Sequence, residues 1–280
     1  MFYYLHHALI FLPLISVVIP LYNAEKSIEK TLDSIKNQTW KGDFEIFVVN
    51  DGSTDESAAV VENYIKQSSL NIQLLNQENL GVSAARNSAL RRATGEYIAL
   101  LDADDEWLPE KTERQMEILV DHNSDLDFLG CLRKNQKILW PFRVEKNNLA
   151  EVTFRKLMLR NEIQPSTVIF KTEILKKTGF FGENFRFAED LNFWLRVSEN
   201  CKMAILNEEL IFAGDGKRSF GVSGLSANLV EMEKGFQRNL REIWAKKKFG
   251  FAQFAAYFVF YKMKFLVRLS RNFYFKFQGR

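Results

Sequence analysis

Two short stretches of the chain each end an apolar run in acidic and small polar residues: VVNDGSTDES, residues 48–57, and LLDADDEW, residues 100–107. In the second, Asp102 and Asp104 flank Ala103, so two carboxylates sit just beyond a strand-like run, with Asp105 next to them. Two carboxylates are too few to cage a divalent cation alone, and the shortage suits Mg²⁺ or Mn²⁺ shared with substrate phosphates. Acidic residues at such a place also line turns and cap helices with no further role. Asp51 carries a similar pair of readings. Asp-Gly makes turns and Asp55 can cap the next helix, yet a carboxylate beside Gly52 can also accept a hydrogen bond from the ring N–H of a base. Arg86 and Asn87, in GVSAARN, fall beside the same crevice, where a fixed guanidinium can clamp a phosphate. Arg91 and Arg92 read as solvated helix-face residues. Glu189 and Asp190 precede the apolar face of LNFWL, and a carboxylate there either caps a helix or serves as a general base. The dipole of that helix favours the anionic form of Asp190 and lowers its pKa.

These groups need a scaffold that gathers them. Residues 14–20, 44–49, 72–75, 97–101 and 126–132 read as buried strands. Helices fill the intervals: one from Ala24 with Ile28, Leu32 and Ile35 inward, one capped by Asp55 with Val60, Val61 and Ile65 inward, one opened by Gly81, and one starting at Pro109. The alternation predicts an α/β fold, a right-handed, mostly parallel sheet flanked by helices, with ligands at the carboxyl ends of its strands. Residues 140–162 lose the pattern and read as an insertion or a helix around a substrate opening. A strand is expected over 164–170, a short helix ending at Gly179, a helix from about Asp190 in which Trp194 packs and Arg196 makes a local ion pair, and an edge strand over 203–206. GDGKRSFGVSGLS, from Gly214, has four glycines within eleven residues and suits a mobile lid.

The chain has 280 residues, 46% hydrophobic and 26% charged, which excludes a disordered protein. Its net charge of +3 conceals a split. From Arg241 onward there are ten Lys or Arg against one acid, Glu242, whereas residues 1–240 hold 28 basic and 34 acidic residues. Cys131 and Cys201 lie in apolar surroundings without metal-binding spacing, as buried small hydrophobes in a reducing compartment do. Residues 1–13, MFYYLHHALIFLP, lack the basic start and cleavage site of a signal peptide and read as an apolar extension. The turn after the first strand, LYNAEKS, has no glycine for a pyrophosphate, which weakens a dinucleotide-dependent oxidoreductase.

IPLYN, VVNDGSTD, GVSAARN, LLDADD and AEDLNFWLR, in this order and at these distances, resemble the family 2 glycosyltransferases, whose fold is the Rossmann-like GT-A. The resemblance covers about residues 14–197 and places the catalytic domain at 14–228. It implies a nucleotide-diphospho-sugar donor, UDP-linked, a Mg²⁺ or Mn²⁺ ion, and transfer with inversion at the anomeric carbon to a glycan or lipid-linked acceptor. Carried onto this chain, Pro20, Tyr22 and Asn23 flank the nucleotide, Asp51 reads the base, and Arg86, with Asn87 beside it, lies near the diphosphate. Asp102, Ala103 and Asp104 hold ribose and metal, Asp104 being the more direct ligand. Asp190 is the catalytic base, with Glu189 to orient or replace it. Some relatives add a metal-binding histidine after the base; the histidines of this chain are only His6, His7 and His122.

Residues 229–280 read as a helical appendage, basic and aromatic. Phe254, Phe258, Tyr261 and Phe265 share one helical stripe flanked by Lys262, Lys264, Arg268 and Arg271, which suits a helix lying in a membrane interface, with Phe260, Met263 and Val267 packed on protein. A helix pair covering the catalytic domain, or a dimer contact, explains the pattern equally well. The whole points to a transferase of cell-surface polysaccharide synthesis in the cytoplasm, peripheral at the inner face of the membrane and binding no nucleic acid. A non-catalytic nucleotide-sugar-binding module that tethers a complex to the membrane is the alternative.

Overall fold

The computed structural model describes residues 12–184, 186–214 and 227–277. The chain opens with β1 (Ile15–Leu21), α1 (Ile28–Lys36), β2 (Phe44–Asp51), α2 (Ser57–Gln67), β3 (Asn71–Gln77), α3 (Val82–Leu90) and β4 (Tyr97–Leu100). β1 pairs in parallel with β2 on one side, Leu21 opposite Asn50, and with β4 on the other, Val18 opposite Leu100. β2 in turn pairs in parallel with β3. This register brings the ends of β1, β2 and β4, and so residues 20–23, 51 and 102, to one edge of the sheet.

β1 is buried on both faces, as a central parallel strand must be. Ile15, Val17, Ile19 and Leu21 belong to a core shared with Ile28, Leu32 and Ile35 of α1, whereas Val18 joins a second core with Ala85 and Ala89 of α3. The small residues of α3 let its backbone lie close to β1 and β2.

The sheet continues past β4 with reversed polarity. β5 (Asp105–Trp107), α4 (Lys111–Leu119), β6 (Phe128–Arg133), β7 (Leu149–Val152), α5 (Phe154–Leu159), a 3-10 turn at Pro165–Thr167, β8 (Ile169–Lys171), α6 (Ile174–Thr178), α7 (Glu189–Val197) and β9 (Met203–Ala213) complete the body. The strand order is β3-β2-β1-β4-β8-β6-β9-β5, with β7 also paired to β9. β8 is antiparallel to both β4 and β6, β6 is parallel to β9, and β9 is antiparallel to β5 and β7. The parallel order expected from the alternation therefore holds through β4, and a mixed sheet follows.

Three local expectations change. The edge strand expected over 203–206 is instead an eleven-residue strand flanked by β6, β5 and β7, because its partners come from segments too short to announce themselves. The strand expected over 164–170 begins as a 3-10 turn at Pro165, whose fixed φ and missing N–H suit a turn better than a ladder. Helix α4 starts at Lys111, two residues after Pro109. Trp194 is fully buried with its ring 5.0 Å from that of Phe128, as packing requires. Arg196 donates to the carbonyls of Thr178 and Phe180 rather than to an acid, so it closes α6 onto α7.

Two helices end the described chain, α8 (Leu229–Ala245) and α9 (Phe251–Phe277). α8 is seated in the body: Leu240 and Ile243 are buried in the α3–α7 core, and Asn239 Nδ2 donates to the Ala188 carbonyl at 2.9 Å. Gly235 permits this approach, since a Cβ there would stand 2.4 Å from the Phe187 carbonyl oxygen. The aromatic stripe of α9 faces the opposite way from the membrane-facing expectation. Tyr261 is buried and its hydroxyl donates to the Met158 carbonyl at 2.8 Å, and Phe254 and Phe258 pack against the core. Met263 and Val267, expected on protein, are each 59% exposed. Large aromatics bury more area than aliphatics, and the α8–α9 seam takes them. The first eleven residues and the glycine-rich stretch 215–226 lie outside the described residues.

Glu45, at the start of β2, ties three parallel strands together at the edge opposite the crevice. Its carboxylate accepts from Ser16 Oγ, from Thr94 N and Oγ1, and from Gly95 N, with no ion-pair partner among the described residues. Burial raises its pKa, and the hydrogen bonds outweigh burial and hold it below the ordinary value of 4.5. Its contribution is complete above that value and is lost as pH falls through the lower, folded pKa. Glu45→Gln is expected to cost about 1–3 kcal/mol at neutral pH, because the introduced amide faces donors. Urea denaturation across a pH series checks this: the gap to the parent closes in acid, and a gap independent of pH would rule out a role for the charge.

Candidate active site

A cleft opens at the sheet edge where β1, β2 and β4 end, and α7 points its N-terminus into it. Pro20, Tyr22, Asn23, Asp51, Arg86 and the run 102–104 line it, together with Glu189 and Asp190. Of the residues marked out by sequence, Asn87 alone is missing from the lining.

The nucleotide-side expectations fall on the β1 and β2 ends. Tyr22 is half exposed. Asn23 adopts a left-handed φ of 49°, which asparagine tolerates, and it grips the NDGST turn. Its backbone N–H donates to Ser53 Oγ at 3.1 Å, and its Oδ1 accepts from Thr54 N at 2.8 Å. Gly52 takes φ 69°, and a Cβ there would press within 2.8 Å of the Asn79 nitrogen, so both conformation and space demand glycine. Asp51 is buried and already works inside the protein: Oδ1 accepts from Gln77 Nε2 at 2.8 Å and Leu80 N at 2.9 Å, and Oδ2 from Gly81 N at 2.9 Å. It therefore fixes the turn into α3 as well as bordering the cleft.

The central feature is Arg86. It is 2% exposed; Nη2 donates to Asp102 Oδ1 at 2.8 Å and Nη1 to Glu189 Oε1 at 3.3 Å. Its guanidinium also sits 5.4 Å from the centre of the Phe181 ring. Burial alone would lower its pKa, and the carboxylates of Asp102 and Glu189 reverse that and keep it charged. The cation expected to clamp a phosphate is thus engaged by two carboxylates. Asn87 is turned away, its Nδ2 on the Phe181 carbonyl and Glu183 Oε1, both at 2.9 Å, and its Oδ1 on Phe181 N at 3.0 Å. With its amide held by the 181–183 loop, Asn87 is a brace rather than a donor contact, a correction to the expectation above. Arg91, expected to be solvated, pairs with Glu183 at 2.8 Å on the surface.

The DADD run is pinned from below. The Ala103 carbonyl accepts from Ser27 Oγ at 2.8 Å and Thr31 Oγ1 at 3.0 Å. Asp102 N donates to Ser166 Oγ at 3.0 Å, and the same hydroxyl donates to Asp105 Oδ2. Asp105 Oδ1 accepts from Gly214 N at 2.9 Å. Burial, then the charges of Asp102 and Asp104, push the Asp105 carboxyl well above its ordinary range. Asp104 is exposed at the cleft. Among the described residues no cluster of three or more His, Cys, Asp or Glu could hold a metal alone. The donor set still fits a divalent cation that shares its shell with a diphosphate, because two neighbouring carboxylates leave a surplus of negative charge.

On the opposite wall, Glu189 and Asp190 occupy the first turn of α7, after Ala188 at a left-handed φ of 56°. Burial, and then the charge of Asp190, raise the Glu189 pKa, while Arg86 opposes the rise. The Asp190 carboxyl is raised as well, burial coming first, although the Leu191 N–H and Arg86 pull the other way. The expected lowering by the helix dipole is therefore overcome by desolvation. Asp190 Oδ2 accepts from Asn161 Nδ2 at 3.2 Å. Ser166 and Asn161 were missed by sequence reasoning: each meets the site across a long separation, from segments with no motif.

The comparisons with known proteins bear on the family and the fold. The profile of Glycosyl transferase family 2 matches residues 16–185. A glycosyltransferase of Methanocaldococcus jannaschii is 34% identical over 71% of this chain and 70% of its own length. The poly(ribitol-phosphate) beta-N-acetylglucosaminyltransferase TarS of Staphylococcus aureus is 30% identical over 70% of this chain, but this is only 35% of TarS. The structure of TarS 1–349 with UDP-GlcNAc superposes with a TM-score of 0.65 at 27% identity, covering 82% of this chain and 66% of that one. A mannosyltransferase of Pyrobaculum calidifontis solved with GDP-Man and Mn²⁺ has the same TM-score at 22% identity, a likeness of fold. With the cleft, the mixed α/β sheet and the profile in agreement, this chain belongs to glycosyl transferase family 2 and has the GT-A fold.

Proposed function

We propose that the protein is a metal-dependent, inverting glycosyltransferase. It moves a hexosyl or N-acetylhexosaminyl group from a UDP-linked sugar to a hydroxyl of a glycan or lipid-linked acceptor in cell-surface polysaccharide synthesis, at the inner face of the cytoplasmic membrane. The observation that carries the catalytic reading is the facing of two carboxylate sets across one cleft, Asp102 and Asp104 on one wall and Asp190 on the other. TarS, a relative over most of this chain, has been solved with UDP-GlcNAc, which supports a UDP-linked donor.

In this reading the nucleotide lies along Pro20, Tyr22 and Asn23, with the base against Asp51, whose Oδ2 accepts from Gly81 N and retains acceptor capacity. Asp104 and Asp102 would hold the divalent cation, whose chemistry is to neutralise the diphosphate leaving group. Arg86 holds Asp102 and Glu189 in place through its two ion pairs. The acceptor hydroxyl approaches from the α7 side and gives its proton to Asp190 as its oxygen attacks opposite the leaving diphosphate. Desolvation makes Asp190 a stronger base than a solvated aspartate, and the Asn161 amide fixes the orientation of its carboxylate. Glu189 holds Arg86 and is a positioning residue.

A panel of nucleotide sugars with Mn²⁺ tests this: at least one is bound, hydrolysed or transferred, and binding of none by intact protein would overturn the proposal. Asp190→Asn should leave donor affinity measured by calorimetry unchanged and lower transfer by roughly 10²–10⁴-fold. Unchanged transfer would remove Asp190 from the mechanism, and a parent that binds donor without ever transferring it would instead match a binding module. Asp104→Asn should weaken Mn²⁺ binding in the presence of UDP by at least roughly tenfold, read by electron paramagnetic resonance rather than by turnover. Equal Mn²⁺ affinity in parent and variant would place the cation elsewhere.

A further inference from the structure

Helix α9 buries one face and leaves another open. Its buried side holds Phe254, Phe258 and Tyr261 against the body. Its outer side carries Val259, Met263, Leu266 and Phe273, exposed by 55%, 59%, 61% and 74%. The spacings of four, three and seven keep these side chains on one stripe of a helix about 40 Å long. Val267 and Tyr274 widen the stripe, and Phe251 with Trp244 extends it at the α8–α9 turn. A contiguous apolar surface of this size on a described face calls for an occupant.

The charges around it select which one. Exposed Lys246, Lys247 and Lys248 stand at the turn, and Lys262 and Arg271 flank the stripe; Lys246 also pairs with Glu242, Lys248 with Glu199 and Lys262 with Glu233 of the same chain. From Ile243 to the last residue there is no Asp or Glu. A second copy of this chain laid along α9 would meet Lys and Arg with Lys and Arg, which repel. Anionic lipid headgroups meet the same groups with attraction while the aliphatic stripe enters the acyl boundary. Among the described residues no helix is long and apolar enough to cross a membrane, so contact of α9 would be by lying on the surface.

We infer that the outward face of α9, Val259–Met263–Leu266–Phe273 with its basic flanks, is the surface by which the protein lies on an anionic bilayer. The buried face of the same helix leads to the acceptor wall. Tyr261 donates to the Met158 carbonyl and Lys264 Nζ to the Leu159 carbonyl, both at 2.8 Å, and Asn161, two residues further on, holds Asp190. These contacts tie the docking helix to the segment that holds the proposed base, a link that rests on the proposed transfer; the docking itself does not.

Flotation of the full chain with vesicles of phosphatidylcholine, with and without phosphatidylglycerol, tests the inference. The parent binds the mixed vesicles, releases them at high salt and binds phosphatidylcholine weakly. The combined variant Val259→Ser, Met263→Ser, Leu266→Ser loses vesicle affinity by roughly tenfold or more, with melting temperature and donor affinity as in the parent. Donor affinity reports on the transferase reading separately. The inference is overturned if the parent ignores phosphatidylglycerol vesicles, if the variant binds them as well as the parent, or if removing residues 1–11 alone abolishes binding. It is equally overturned if the parent sediments as a dimer without lipid and the variant as a monomer, which would make the face a contact between copies.

Discussion

One buried guanidinium holds the two halves of the site together. Asp102 belongs to the donor-side strands and Glu189 to the helix that presents Asp190, and Arg86 reaches both from α3. Burial alone would favour the neutral guanidinium, and the two carboxylates reverse that and keep Arg86 charged. Everything nearby serves to hold this triad still. The alanines of α3 bring its backbone onto β1 and β2, Asn87 ties the following turn of the helix to the 181–183 loop, and Phe181 lies against the guanidinium. α8 closes the far side through Asn239 and the bare backbone of Gly235. A lysine at position 86 would put a single nitrogen where Nη1 and Nη2 of the planar fork now serve one acid each.

The part of the sheet up to β4 was legible in the sequence because it is written in local patterns. Strands such as 14–20 and 44–49 are buried on both faces and read as apolar runs, and the helices between them have the inward residues that their spacing announces. The acidic strand ends then fall together from topology alone. The part of the sheet beyond β4 is built otherwise. β5, β7 and β8 have three, four and three residues; β5 and β7 pair along β9 together with β6, and β8 pairs with β4 and β6. No periodicity survives in three residues, so the sheet beyond β4 had to be seen.

The site residues divide in the same way. Asp51, Asp102, Asp104 and Asp190 stand where sequence order put them, on the cleft. What sequence could not give was how they are already employed: Asp51 in three hydrogen bonds of its own fold, Arg86 in two ion pairs, Asn87 in a brace. Nor could it give the balance of opposing effects on Asp190. A helix N-terminus is visible in a string of letters, whereas the depth at which it is buried is not, and depth decides the sign. The α9 stripe failed for a related reason, since amphipathicity reports two faces without saying which of them the body will claim.

The reversal of strand direction between β4 and β8 has a consequence for how such a chain can diversify. On one side of that seam, the sheet is assembled from contiguous sequence, residues 15–100, with β4 returning to pair beside β1. On the other side, short strands and loops are stitched onto β9 with few shared hydrogen bonds across the boundary. Substitutions, insertions and lost turns in the later half can therefore accumulate with little disturbance to the earlier one. A lineage can keep its currency and change what it is spent on, one loop at a time, with Arg86 as the fixed rivet between old and new.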